Sequence, residues 1–103
     1  MTIQEFIAKT YRVKSSGIQS LRPIVVCVDG FTMSVQASDF HYCSPRKNGL
    51  NNYTTVEIGF PSQMDELLMP YAESENTPTD TVYAYVPVDI VNKVIEKHGG
   101  IKE

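Results

Sequence analysis

The chain has no apolar stretch approaching the roughly 18 residues that a membrane-spanning helix requires. Glu5 interrupts the unbroken apolar run that a secretion signal would place near the start. A soluble, cytoplasmic protein with no membrane partner is therefore expected. Cysteine is scarce: Cys27 and Cys43 are too few for a disulfide framework and sit in different local contexts, so both read as reduced thiols. Length is short as well. The 103 residues suffice for a single α+β domain spanning 1–103 with one modest core, and leave little for a deep cleft. Also missing are a Gly-rich phosphate loop, paired carboxylates at a recognisable spacing, a Ser-His-Asp context and any internal repeat. His41, Cys43, Cys27 and His98 lack the close pairwise spacing of metal ligands, so neither a metal nor another cofactor is expected. A dedicated enzyme is disfavoured.

Basic residues are absent over a long interval. None occurs between Asn48 and Asn92, where Asp65, Glu66, Glu73, Glu75 and Asp80 crowd together. The net charge of -3 hides this asymmetry: residues 1–47 hold six bases against three acids, and residues 48–103 hold three bases against nine acids. An acidic average argues against direct nucleic-acid binding, which draws its affinity from neutralising phosphates. It leaves anion binding open in the basic half. The acidic run reads either as a solvated loop or as a surface docking on a basic partner.

What is present reads as alternating short elements. Thr2-Ile3-Gln4-Glu5 has capping-box form and starts a helix reaching about Thr10, with Ile3, Phe6 and Ile7 on one face. Tyr11 to Lys14 alternates weakly. Ile24 to Val28 and Phe31 to Ser38 form a hairpin across Asp29-Gly30, a pair suited to a type I′ turn, with Phe31, Met33, Val35 and Ala37 inward and the alternate residues wet. Asp39 to Asn52 is a long connection. Tyr53 to Phe60 is a strand with Val56, Ile58 and Phe60 inward. A short helix capped at Ser62 to Asp65 runs through Leu67 to Met69 and is limited by Pro70. In Thr81 to Val86 the residues Val82, Ala84 and Val86 point inward, opposing Tyr83 and Tyr85. A last helix follows Pro87, with Ile90, Val91, Val94 and Ile95 as its stripe and Gly99-Gly100 as its left-handed cap. This order predicts an α+β fold, a mostly antiparallel sheet of about four strands with N- and C-terminal helices packed on one face. The opposite face would carry Thr32, Ser34, Gln36, Glu57, Tyr83 and Tyr85.

The densest reactive group is His41-Tyr42-Cys43-Ser44-Pro45-Arg46-Lys47. Arg46 offers a planar fork for phosphate or carboxylate, and His41 and Tyr42 offer stacking faces. The candidate ligand-binding residues are His41, Tyr42 and Arg46, with Gln36 and Tyr85 as secondary positions, for a small anionic nucleotide-like ligand. A thiol nucleophile at Cys43 with His41 as its base is the catalytic alternative, for which no orienting carboxylate is evident. Structural tethering by the same Arg and Tyr side chains remains open. His98, near the end of the last helix, reads as a partner of that helix's C-terminus.

The stretch Asp29 to Ser38, with His41-Tyr42-Cys43-Ser44-Pro45-Arg46, Val56 to Ser62, Tyr83-Ala84-Tyr85-Val86-Pro87 and His98-Gly99-Gly100-Ile101, resembles small accessory proteins encoded by bacteriophages and prophages. The resemblance implies a counter-defence role in the host cytoplasm, by sequestering a host immune signal or by inhibiting a host protein. The leading expectation is a non-catalytic binding protein whose pocket is shared in a homo-oligomer. The alternative is an inhibitor of a host nucleic-acid-binding effector acting through Glu73, Glu75 and Asp80.

Overall fold

The computed structural model describes residues 1–17 and 19–103. The capping box forms as its residue types dictate: Thr2 Oγ1 accepts from the Glu5 amide, and Glu5 Oε1 accepts from the Thr2 amide at 2.9 Å. Helix α1 then spans Ile3–Lys9 and buries Ile3, Phe6 and Ile7. It is tied to the last helix by Asn92, whose Oδ1 accepts from the Ile3 amide at 2.8 Å while its Nδ2 donates to Gln4.

Four strands follow, β1 (Val25–Val26), β2 (Thr32–Gln36), β3 (Thr55–Gly59) and β4 (Val82–Pro87), in the order β1-β2-β3-β4 with every pair antiparallel. Helix α2, Val88–Lys97, starts directly after β4 and buries Val91, Val94 and Ile95. Its end is a Schellman motif, with Gly100 N–H on the Ile95 carbonyl, Gly99 N–H on that of Glu96, and both glycines at positive φ. The α+β architecture with a helix at each end is thus present, and the buried side chains of both helices share one core with Val25, Met33, Val35, Val56, Ile58, Tyr83 and Val86.

Several local expectations need correction. The first hairpin turns through three residues, Val28-Asp29-Gly30, and only Gly30 has positive φ; Asp29 Oδ1 accepts from the Phe31 amide and makes the type I′ geometry unnecessary. Residues 65–71 form single tight turns and a 3₁₀ segment at Met69–Tyr71 in place of a capped α-helix; Asp65 Oδ1 accepts from the Leu67 amide while Oδ2 turns away to His98 and Lys97. In β4 two residues, Ala84 and Tyr85, stand opposite Glu57 of β3. This bulge breaks the alternation, so Tyr83 is fully buried, donating its hydroxyl to the Pro78 carbonyl, and Val86 regains the inward side. Phe60, with φ at 50°, swings outward and is 57% exposed. Gln36 and Ser38 are buried where a wet face was expected, because residues 19–22 lie across that end of β2. Among the described residues the Tyr11–Lys14 alternation yields a single bridge, Val13 to Gln19.

Both outer edges of the sheet are occupied by the chain itself. On the β1 side, Val28 N–H donates to Gly100, Lys102 N–H donates to Val26, and Cys27 bridges Ile101. On the β4 side, Glu73 N–H donates to Val82, Ala72 bridges Tyr83, and Tyr85 N–H donates to Tyr42. No helix among the described residues is long and apolar enough to cross a membrane.

Candidate functional site

The 39–54 connection is a folded loop with its own fastenings. Asn48 Oδ1 accepts from the Asp39 amide at 3.0 Å, Ser44 pairs with Thr54 and Thr55, and the Tyr53 hydroxyl donates to the Lys47 carbonyl while accepting from the Leu50 amide. Its middle is pinned to the sheet at Tyr42, whose amide donates to Glu57 Oε1 at 3.1 Å and whose carbonyl accepts from Tyr85 N–H at 3.1 Å.

That pinning brings three of the sequence-derived candidates together. The Tyr42 and Tyr85 rings lie 5.9 Å apart between centroids, tilted by 43°, and the Arg46 guanidinium stands 5.6 Å from the Tyr42 ring centroid, within cation–π range. Both rings are outward, Tyr42 41% and Tyr85 43% exposed. Tyr85 is held there at φ 52°, in the left-handed region that a bulky side chain rarely adopts. The β4 bulge imposes this conformation, and without the bulge the ring would fall on the buried face. The site therefore holds a cation, two aromatic faces and, at Glu57, a carboxylate.

The other candidates are placed differently. His41 is half-buried with Nδ1 2.6 Å from Ser38 Oγ, and burial lowers its pKa; Arg22 and Arg46 act in the same direction, against Glu57 and Asp39. The ring is neutral at physiological pH and belongs to the loop's internal bonding. Gln36 does not join the surface: its Oε1 accepts from the Arg22 amide and its Nε2 donates to the Arg22 carbonyl and to Ser34, so its amide is spent on holding residue 22. Cys43 is buried, its thiol donating to the carbonyls of Ser38 and Pro45, and burial raises its pKa. A buried, protonated thiol bonded to carbonyls, with His41 turned to Ser38, is not arranged as a nucleophile and base.

The acidic run divides. Glu73, Glu75 and Asp80 are exposed and, among the described residues, enter no ion pair. Asp65 is buried instead, and with Asp29 it brackets His98: Nδ1 lies 2.7 Å from Asp29 Oδ2 and Nε2 lies 3.0 Å from Asp65 Oδ2, with Lys97 3.2 Å from that same oxygen. Sequence reasoning missed this group, since three elements contribute and Asp65 is masked by its acidic neighbours. It also missed Arg22, whose burial no local pattern announces. A cavity of about 270 Å³ lies between α1 and the C-terminal residues Ile101–Glu103, and no residue of the 39–54 loop lines it.

No protein-family model, curated protein or solved structure matches the chain.

Proposed function

We propose that the chain is a non-catalytic binding protein that sequesters an anionic nucleotide-like ligand on Tyr42, Tyr85 and Arg46. The observation that carries this reading is Arg46 standing over the outward Tyr42 ring, which in turn adjoins a second outward ring, Tyr85, held at a costly backbone angle. Local strain that packing does not require is often kept for binding. An aromatic face accepts a base from either side, and a guanidinium holds the phosphate. Because both rings stand open to solvent, a ligand lying on them keeps one bare face, which a second copy of the chain would cover. Strand pairing does not serve for that association, as both sheet edges are occupied, so the copies meet face to face. The resemblance to phage accessory proteins supports a counter-defence role in the host cytoplasm, with a host signalling nucleotide as the ligand.

Isothermal titration with mononucleotides and cyclic dinucleotides, combined with light scattering, tests this. The expected result is one ligand per two chains, recovered chemically unchanged, with affinity reduced by about tenfold or more in Tyr85→Ala and in Arg46→Ala. Absence of heat with every nucleotide overturns it. The unpaired carboxylates Glu73, Glu75 and Asp80 support a second reading, an inhibitor docking on a basic host effector. Charge reversal at those three positions would abolish that interaction while Arg46→Ala leaves it intact.

A further inference from the structure

Arg22 is the most anomalous side chain in the molecule. It is 3% exposed; Nε donates to the Ile7 carbonyl at 3.2 Å, Nη1 donates to the Ala37 carbonyl at 2.8 Å, and Nη2 has no partner among the described residues. Among the described residues no carboxylate pairs with it. The groups that feel its charge are two phenols, a thiol and an imidazole, Tyr53, Tyr11, Cys43 and His41. A buried ion without a counter-charge is among the costliest features a fold can hold. Gln19 adds to the imbalance: its Nε2 donates to the same Ala37 carbonyl at 2.9 Å, while its buried Oε1 accepts from no group of the described residues. One donor and one acceptor are thus left unmatched on two side chains that converge on a single carbonyl.

The surroundings are basic. The Val13–Gln19 bridge carries Arg12 and Lys14, and Arg46 and Lys47 lie on the loop whose Gly49 rests against Tyr11, close enough that an added Cβ would stand 3.2 Å from the Tyr11 ring. All four cations are exposed and, among the described residues, outside any ion pair. Folding therefore gathers much of the basic half of the chain at one end, with Arg22 inside it.

From this geometry we propose that Arg22 anchors an oxyanion site beneath Tyr11 and the 47–50 turn, and that its ligand is a phosphate group still carrying a proton. The anion supplies the missing counter-charge and accepts from Nη2. Its P–OH donates to Gln19 Oε1, which sulfate, having no proton at neutral pH, does not do. The phosphate is free phosphate or the terminal group of a monoester. The site goes beyond the nucleotide reading, because inorganic phosphate alone is enough to probe it.

The test follows the side-chain Nε–H resonance of Arg22 in the wild-type protein during titration with inorganic phosphate, sulfate or chloride at constant ionic strength, with thermal unfolding alongside. A saturable shift and a rise in Tm with phosphate are expected, with sulfate at least about tenfold weaker and chloride without effect. Arg22→Lys, which keeps the charge and loses the fork, weakens phosphate by a similar factor, and Lys93→Ala, exposed on α2, leaves it unchanged. A response equal in all three anions, or none, overturns the proposal and leaves the two orphan atoms to a buried water; sulfate binding as tightly as phosphate overturns it too. The wild-type titration decides even where an Arg22 variant does not fold. A glucose monophosphate, which has no base to stack, separates the sources: binding there as with inorganic phosphate places monoesters in the site, and the proposal fails if neither binds. Silence with phosphate beside tight nucleotide binding removes this inference alone, and the reverse pattern removes the nucleotide reading alone.

Discussion

The imidazole of His98 lies flat against the ring of Phe31, 4.0 Å between centroids and 7° between planes. Stacking fixes the ring plane, so each nitrogen meets its own carboxylate, Asp29 at the hairpin turn and Asp65 on the far connection. Two separate stretches of chain close on one side chain.

Stability should depend on pH through this group. Burial works to lower the His98 pKa, but the two carboxylates outweigh it and raise it above the usual histidine value. Asp29 is held low by the Phe31 amide and then by His98. Asp65, which burial alone would raise, is held low by His98, the Leu67 amide and Lys97. The histidine contribution is therefore full below about pH 6.5 and is lost as pH climbs through the raised value. The carboxylate contribution is present above about pH 4 and is lost on acidification. Urea midpoints measured against pH should peak between the two ranges. His98→Gln should cost about 3 kcal/mol near the peak, by leaving Asp65 buried without its main partner, and should flatten the alkaline side of the curve.

Phe60 and Tyr85 share an uncommon backbone angle, and relieving it should separate stability from binding. Phe60→Asn should raise stability by about 1 kcal/mol in urea unfolding, since asparagine tolerates the left-handed region and the outward ring contributes little burial. Tyr85→Asn should be equally well tolerated by the fold and yet weaken the nucleotide. Loss of stability in both would place the value of these aromatics in packing.

The two thiols should be silent toward an aromatic disulfide reagent in the native protein. Both are buried with pKa values raised by that burial, and the Asp29 charge raises Cys27 further. Two equivalents should react once denaturant is added, and prompt native reaction at Cys43 would contradict its placement.

Tyr83 offers a test of the β4 bulge. Its ring fills the core while its hydroxyl donates to Pro78, so Tyr83→Phe should cost about 1 kcal/mol, the value of one buried hydrogen bond. Tyr83→Ala should cost about 4 kcal/mol, as expected for a large core ring. A ring pointing to solvent, as plain alternation implies, would give changes near zero for both.

That contrast shows what was legible in the sequence. Signals confined to neighbouring residues were readable: the Thr2–Glu5 capping box, the stripe of α2, the glycine cap and the four strand segments all rest on local spacing. The grouping of Tyr42 with Arg46 was readable for the same reason. The bulge at Ala84 and Tyr85 was not, because one inserted residue leaves no trace in a period of two. The Asp29–His98–Asp65 bridge and the burial of Arg22 were not either, since each is decided by segments distant in the chain. Asp65 and Arg22 look like ordinary surface charges until the fold encloses them.

The occupied sheet edges bear on how the protein behaves at high concentration. An open edge strand offers its free amides and carbonyls as a template on which further chains add, and such growth has no natural stopping point. Here Gly100 and Lys102 take that place on one side, and Glu73 and Tyr42 take it on the other. Crowding should therefore not drive growth into fibres, and trimming the residues after Gly99 should convert the chain into one that seeds its own precipitation.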